Sequence, residues 1–284
     1  MQPRLGIIGG TGCYELPGIK IKSTLTCETP FGAPSDEFVI GELGEKLVIF
    51  LPRHGRGHRI NPSKINNRAN IWGMKKLGVT HLVSVSAVGS FREEIRPGSL
   101  VFVDQYVDRT KNRGADTFFE DLAVHIAFAD PVCPQLHAQL IRLANKLGIE
   151  HTPNGIYLNI EGPAFSTRAE SRIYRAWGMD VIGMTNLYEA KLAREAELHF
   201  AAIAEVTDYD SWRVEAVDVP TVIGNLGKAN QAAVRVLTAL IESFPFDTST
   251  CECESALATA LVTHREYLTD ELKEKYGLLL QKYI

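Results

Sequence analysis

The 284-residue chain lacks a basic excess, a long apolar run and an even set of cysteines. Its 30 Lys and Arg against 34 Asp and Glu give a formal net charge of −4, whereas a general nucleic-acid binder would have a basic surface. No run of apolar residues reaches membrane-spanning length, and the first residues do not follow the pattern of a signal peptide. The few cysteines are typical of a protein from a reducing compartment, so we expect a cytoplasmic protein. They are Cys13, Cys27, Cys133, Cys251 and Cys253.

What the chain does have is enough apolar sequence for a large core, with 45% hydrophobic and 23% charged residues. Apolar runs that predict buried strands recur at residues 5–8, 47–51, 81–86, 100–104, 155–160, 181–184 and 200–206. Helical patterns lie between several of these runs. This alternation predicts an α/β fold with a twisted, mixed central sheet flanked by helices. With no obvious linker, we expect one domain over 1–284, ending in a helical segment from about 255.

Local signals predict where several helices begin and end. Asn61-Pro62 predicts an N-cap and first turn of a helix, and residues 167–170 (TRAE) predict a capping box. Gly148 and Gly178 are expected to end the helices that precede them. The polar stretch 108–119 predicts a surface loop.

Three strand ends carry residues suited to binding an anion. Residues 6–12 (GIIGGTG) combine glycines with a threonine hydroxyl, but their spacing is neither a dinucleotide-binding fingerprint nor a P-loop. Residues 52–56 (PRHGR) supply a forked guanidinium and an imidazole, and residues 84–90 (SVSAVGS) add small hydroxyl side chains. Taken singly, each is also compatible with a tight turn or a solvated loop. Together, at the carboxyl ends of strands, they favour one anion site.

Two further segments favour recognition of a flat heterocycle. In residues 161–167 (EGPAFST) an aromatic ring precedes two hydroxyls near a helix start, although a capped helix with a core phenylalanine is equally compatible. In residues 207–212 (TDYDSW) two carboxylates alternate after a strand and could read a ring nitrogen and an exocyclic amine of a purine. An acidic turn or a metal site are the alternatives. We expect no metal site, because no His or Cys lies nearby in sequence.

Together with residues 29–32 (TPFG), 70–72 (NIW) and 184–185 (MT), these segments resemble the trimeric purine nucleoside phosphorylase family. The resemblance is strongest to its 5′-methylthioadenosine phosphorylase branch and runs from about residue 5 to about residue 240. It implies phosphorolysis of 5′-methylthioadenosine to adenine and 5-methylthioribose 1-phosphate, in purine and methionine salvage. It also implies a homotrimer or a dimer of trimers, no cofactor beyond phosphate as co-substrate, and neither nucleic acid nor membrane as a partner.

The resemblance also assigns roles to particular residues. It implies phosphate binding by Thr11, Arg53, His54, Ser86, Ala87 and Thr185. It implies base binding by Phe165, Ser166, Asp208 and Asp210, with Asp208 as the catalytic residue. Met184 would pack against the ribose, and His125 would be contributed to a neighbouring subunit's 5′ pocket. We expect part of the apolar wall of that pocket to come from the C-terminal helix after residue 255.

The assignment to the branch depends chiefly on Asp208, because branches that favour 6-oxopurines have Asn there. Gly183 stands where the animal enzymes have Asn and also occurs in a bacterial branch that acts on methylthioinosine, and residues 186–189 (NLYE) replace the usual x-x-Pro-Glu. The alternatives are therefore a phosphorylase of 6-oxopurine nucleosides or methylthioinosine, a hydrolase, a dinucleotide-binding oxidoreductase and a non-catalytic nucleoside-binding protein.

The cysteine pair Cys251-x-Cys253 resembles a feature that some archaeal relatives use as a disulfide. Cys133 has no obvious cysteine partner near residues 190–205, so that disulfide framework is incomplete here. We expect free thiols in a reducing cytoplasm.

Overall fold

A computed structural model describes residues 3–10, 16–111, 116–213 and 219–284. In this part of the chain nine strands form one mixed sheet. Their bounds are β1 Leu5–Gly9, β2 Lys20–Leu25, β3 Phe38–Leu43, β4 Lys46–Pro52, β5 His81–Ser90, β6 Leu100–Arg109, β7 His151–Ile160, β8 Val181–Gly183 and β9 His199–Asp208.

Part of the sheet closes on itself. The strand order is β2-β3-β4-β1-β5-β8-β7-β6-β9, and β9 also pairs with β5. Five strands therefore form a small barrel, while β1 to β4 extend from it as an open sheet. The β1–β4, β1–β5 and β5–β9 pairs are parallel, so the carboxyl ends of four strands meet at one edge.

The described helices cover both faces of the sheet. They are α1 Asn67–Lys76, α2 Pro134–Lys146, α3 Arg168–Ala176, α4 Asn186–Glu195, α5 Val219–Ser243 and α6 Asp270–Leu280. Alternation along β1 shows the two layers: Ile8 packs in the core under α1, α4 and α6, whereas Leu5 and Ile7 pack in the core under α2 and α5. Among the described residues, no helix combines the length and apolarity needed to cross a bilayer.

Most of the predicted elements are confirmed. Each predicted strand overlaps an observed one, Thr167 forms the predicted capping box, and Gly148 and Gly178 take positive φ just after α2 and α3. The predicted α/β fold class, with a mixed sheet flanked by helices, is confirmed as well.

Two predicted boundaries are wrong, and a third, the start of the loop expected from about residue 108, is shifted by two residues. Asn61 caps only the 3-10 helix Pro62–Lys64, and α1 begins after a second cap at Asn66, because Ile65 is extended between them. The predicted loop 108–119 begins too early, since β6 continues to Arg109. After the 3-10 helix Cys253–Ser255, the C-terminal α-helix begins only at Asp270.

Candidate active site

A cavity of about 270 Å³ lies at the sheet edge where the carboxyl ends of β1, β4, β5 and β9 meet. Ten of the predicted site residues line it: Arg53, His54, Ser86, Ala87, Phe165, Ser166, Met184, Thr185, Asp208 and Asp210. These residues come from five separate segments of the chain. The topology therefore brings the predicted anion-binding and base-binding segments to one cavity.

Arg53 is held rigidly at one end of this cavity. It is 1% exposed, and its Nε and Nη2 donate to Glu189 at 2.6 and 2.9 Å in a bidentate salt bridge. Further bonds run from Nη1 to the carbonyl of Val85 at 2.8 Å and from Nη2 to Ser84 Oγ at 2.7 Å. The opposite charge of Glu189 compensates for burial of the guanidinium, and the fixed geometry preorganises it beside the cavity.

His54 lies next to Arg53 and is neutral at physiological pH. Burial and the adjacent guanidinium of Arg53 lower the pKa of His54 to about 4. Its Nδ1 lies 2.9 Å from the carbonyl oxygen of Ile60, which can only accept, so Nδ1 carries the proton and Nε2 carries a lone pair. The ring stacks on His58 at 4.2 Å between centroids. The side chain therefore lines the cavity with an acceptor nitrogen.

Ser86 and Thr185 complete this end of the cavity, and both are buried. Thr185 precedes the first residue of α4, and its side chain makes no capping bond. The N-terminus of a helix favours negative charge, because its first backbone N–H groups lack partners within the helix. This end of the cavity is suited to an anion.

Asp208 and Asp210 mark the other end, after β9. Asp208 is 8% exposed; its Oδ1 accepts from the backbone N–H of Asp210 at 2.8 Å and its Oδ2 from Thr207 Oγ1 at 2.7 Å. Burial raises the pKa of Asp208, and it raises that of Asp210 to about 6 even though the Ser171 hydroxyl favours the charged form. Carboxyl groups shifted towards neutrality in a cavity are typical of proton-transfer sites.

The remaining predicted residues that line the cavity are Phe165, Ser166 and Met184. Phe165 is 43% exposed and presents an aromatic ring, while Ser166 Oγ is buried without a hydrogen-bond partner in the described part of the chain. Met184 packs closely over Gly162, where an added Cβ would lie 2.4 Å from the Met184 sulfur. An aromatic ring and a thioether are suited to the faces of a flat or apolar ligand.

Packing explains the departure at Gly183. A Cβ at this position would lie 1.9 Å from the hydroxyl oxygen of Tyr157. Tyr157 is fully buried in the core, so it cannot move aside for a side chain. Tyr157 therefore requires glycine at position 183. Because packing already explains this glycine, Gly183 is weaker evidence about which base the protein prefers.

Two predicted site residues are not among the lining residues. Thr11 lies outside the described residues. His125 is exposed and does not line the cavity of its own chain; its backbone N–H donates to the carbonyl of Ala260 at 2.8 Å.

The model of the phosphorylase superfamily matches residues 4–242 of the chain. The chain belongs to this superfamily. A protein of Koribacter versatilis named S-methyl-5′-thioadenosine phosphorylase is 48% identical to it, over 100% of this chain and 97% of that protein. A protein of the same name from Geobacter sulfurreducens is also 48% identical, over the full length of both chains.

Solved structures in the superfamily agree with the fold. A methylthioadenosine phosphorylase from an antarctic soil metagenomic library superposes with a TM-score of 0.89 at 44% identity, covering 98% of this chain and 99% of that one. A methylthioadenosine phosphorylase from Schistosoma mansoni in complex with adenine gives a TM-score of 0.82 at 32% identity, covering 99% and 98%.

The sequence analysis did not assign a site role to several residues here, among them Glu189, Glu205, Val222 and Leu226. Glu189 belongs to the segment 186–189, which differs from the usual family motif, and it lies 136 positions from its partner Arg53. Glu205 is buried within β9 and lines the cavity, where burial raises its pKa to about 7. Val222 and Leu226 of α5 give the cavity an apolar wall, whereas no residue after 255 lines it in this chain. A charged residue inside an apolar strand was the one available signal, at Glu205.

Proposed function

We propose that this protein cleaves the N-glycosidic bond of 5′-methylthioadenosine with phosphate, releasing adenine and 5-methylthioribose 1-phosphate. The observation that carries the proposal is one cavity with an anion-binding end at Arg53 and a purine-reading end at Asp208 and Asp210. The names of the relatives at 48% identity over nearly full length support it. One substrate of this reaction is an anion, phosphate, and the other is a purine nucleoside. The cavity has one end suited to each of them.

At the phosphate end, we assign binding to Arg53, His54, Ser86, the backbone of Ala87, Thr185 and, from the resemblance alone, Thr11. The guanidinium and the α4 N-terminus stabilise the negative charge. Neutral His54 accepts from a P–OH group through Nε2, because its Nδ1 proton is held by Ile60. Phosphate held in this way is oriented for attack on C1′ and stabilises the cationic ribosyl transition state electrostatically.

At the base end, Asp208 is the catalytic residue of the proposal. Departure of adenine requires a proton at N7, and a carboxyl group whose pKa is raised by burial shares such a proton effectively. Asp210 would accept from the 6-amino group, while Phe165 and Ser166 contact the ring. A 6-oxo group would instead oppose two acceptors, which favours adenine over hypoxanthine.

The 5′-methylthio group requires an apolar surface. Met184, Val222 and Leu226 supply one from this chain. We assign a further part to a neighbouring subunit, because exposed His125 lies beside an exposed apolar residue, Val262: Val124 and Leu261 form a β-bridge next to them. A pocket completed in this way requires a homo-oligomer, either a trimer or a dimer of trimers.

The subunit exchange that follows from this arrangement is measurable. A His125→Ala chain mixed with a separately inactive Asp208→Ala chain should recover activity in mixed oligomers, because one pocket in such an oligomer retains both residues. No recovery under verified exchange would place His125 in its own subunit's pocket.

The small, odd number of cysteines supports a cytoplasmic location for the protein.

The deciding experiment is release of the free base from methylthioadenosine, methylthioinosine, adenosine and inosine, each with and without phosphate. We expect adenine from methylthioadenosine, only with phosphate, together with methylthioribose 1-phosphate. Base release without phosphate would indicate a hydrolase, and preference for methylthioinosine would overturn the assigned base. Binding of NADH without any base release would indicate the oxidoreductase alternative.

A further inference from the structure

A second cluster of reactive side chains lies far from the cavity. Cys133, His199, Cys251 and Cys253 place their sulfur and nitrogen donor atoms within 4.8 Å of one another. His199 begins β9 and Asp208 ends it, so the cluster and the catalytic carboxylate are separated by the length of a ten-residue strand, about 30 Å. The cluster therefore belongs to a separate site at the opposite edge of the sheet.

Three distant segments build this cluster. Cys133 immediately precedes α2, His199 opens β9, and Cys251 and Cys253 follow α5. The backbone N–H of Cys133 donates to the carbonyl of Phe200 at 2.7 Å, which fixes the start of α2 against β9. Position 133 at the N-terminus of a 13-residue helix also favours a thiolate over a thiol.

The distances match those of a tetrahedral metal site. The sulfurs of Cys133 and Cys251 are 3.7 Å apart, and they lie 3.4 and 3.1 Å from Nδ1 of His199. Ligands on a tetrahedral zinc ion are separated by about 3.8 Å between two sulfurs and about 3.6 Å between sulfur and nitrogen. Cys133, Cys251 and Cys253 are all free thiols in the structure.

The surroundings of His199 are those of a metal-binding imidazole. Its Nε2 lies 3.2 Å from Oε1 of Glu254, so the other nitrogen, Nδ1, faces the thiols. A carboxylate behind a histidine orients the ring and raises the basicity of the ligating nitrogen. The ring is 1% exposed and stacks on His81 at 4.2 Å between centroids, which fixes its plane. Partly exposed Cys251 leaves a route for an ion to enter.

We propose that Cys133, His199, Cys251 and Cys253 bind one zinc ion. Three thiols would lose their protons to solvent on binding, and the neutral imidazole would supply the fourth ligand. Thiolate-rich sets select zinc over hard cations, and four protein ligands leave no open position, so the ion would be structural. It would fasten the segment after α5 to the start of β9, independently of the proposed phosphorolysis.

The test uses the full chain purified under reducing conditions without chelators. Its zinc content is measured by inductively coupled plasma mass spectrometry. We expect one zinc per chain in the wild type and at least about a tenfold lower content in Cys251→Ser. Cys133→Ser should also lose zinc, and serine preserves the helix-capping ability at that position. Cys27→Ser is the matched control, because Cys27 lies outside the cluster, and it should retain the metal.

Cobalt substitution supplies a readout that does not depend on variants that fold. Addition of Co²⁺ to the metal-free, reduced wild type should give a thiolate-to-cobalt charge-transfer band and tetrahedral d–d bands. Glu254→Gln should keep these bands and weaken binding by about 10- to 100-fold. A folded, reduced wild type that neither retains zinc nor produces the bands would overturn the proposal. So would a disulfide among the three cysteines in protein isolated without air.

Discussion

The two ends of the cavity treat buried charge in opposite ways. At the phosphate end, Arg53 is matched by Glu189 and further hydrogen bonds. At the base end, no salt bridge in the described part of the chain joins Asp208 or Asp210 to a cation, and burial raises the pKa of both. The buried charge at the phosphate end is therefore compensated without a ligand. At the base end the buried carboxylates lack such compensation and lower the stability of the free protein, a cost that bound adenine would relieve. Substitutions at the two ends should have opposite effects on stability.

The largest expected effect comes from Arg53→Ala, which breaks the phosphate end. It leaves Glu189 buried and unpaired, and breaking a buried pair in this way costs about 3–5 kcal/mol of stability. Loss of the proposed contact to a desolvated phosphate should separately lower kcat/KM for phosphate, by the equivalent of ~2–5 kcal/mol. Thermal unfolding and phosphate kinetics should be measured on the same preparation.

Two variants sharpen this test. Arg56→Ala is the matched control, because Arg56 pairs with Asp36 and Glu37 at the surface and should contribute no more than about 1 kcal/mol. The double variant Arg53→Ala, Glu189→Ala should regain part of the lost stability without regaining activity. A normal melting temperature for Arg53→Ala alone would show that the buried pair does not stabilise the fold.

A pH effect of intermediate size should come from Glu205, which lies between the two ends. Its pKa is raised from 4.5 to about 7, so protonation favours the folded state. This contribution to stability is fully present below pH 4.5, falls as the pH rises from 4.5 to about 7, and is lost above about pH 7. The full change is about 3 kcal/mol. Glu205→Gln keeps an acceptor for Asn230, and the fall of about 3 kcal/mol between pH 4.5 and 7 that is due to Glu205 should be missing from its free energy of unfolding.

Exposed Glu266 provides the control for Glu205. Glu266→Gln should leave the pH dependence of stability as it is in the wild type. Urea unfolding between pH 5 and 8, without phosphate, measures both variants. If Glu205→Gln shows the same pH dependence of stability as the wild type across this range, Glu205 does not contribute to it and is ionised throughout.

These differences also mark what the sequence could predict. Strand ends rich in Gly, Ser and Asp predicted the cavity edge, because parallel strands bring their carboxyl ends together. The pairing of Arg53 with Glu189 could not be predicted, since 136 positions separate them and only the sheet order joins them. Closure of the barrel through β5 and β9 was equally hidden, because both strands have the apolar pattern of any buried strand.

The metal-ligand cluster illustrates the same limit on sequence reasoning. Cys251 and Cys253 form a visible pair, but His199 lies 52 positions from Cys251 and Cys133 lies 118 positions from it. Spacing alone favoured no four-ligand set. The cap at Asn66 was missed for a different reason: Asn61-Pro62 has the stronger local signal, and an extended Ile65 between two short helices leaves no pattern.

Asp208→Asn tests the chemistry of the base end with a smaller expected change. Asn can still accept from the N–H of Asp210, and its amide can donate to the hydroxyl of Thr207, which donates in turn to the carbonyl of Val88. The fold should therefore tolerate the change. We expect the ratio of kcat/KM for methylthioinosine to that for methylthioadenosine to rise at least about tenfold, or roughly 1.4 kcal/mol. An unchanged ratio with both rates reduced would make Asp208 a catalytic residue without a part in base choice.

Asp210→Asn is expected to give the smallest change in stability. The sign of that change decides whether the two ends of the cavity differ in the way described above. The pKa of Asp210 is raised from 3.8 to about 6, so above pH 6 its carboxylate is ionised in both states and destabilises the folded one. Asn removes the charge, keeps the shape and tolerates the positive φ of 42° at this position. Because Asn forms weaker hydrogen bonds than a carboxylate, we expect a net gain of about 1 kcal/mol at pH 8, with a loss of activity on methylthioadenosine. Asp180→Asn is the control, since Asp180 is paired with Arg92 and its neutralisation should lower stability. If both variants melt below the wild type at pH 8, the base end is stabilised by its charges as the phosphate end is, and the contrast between the two ends is wrong.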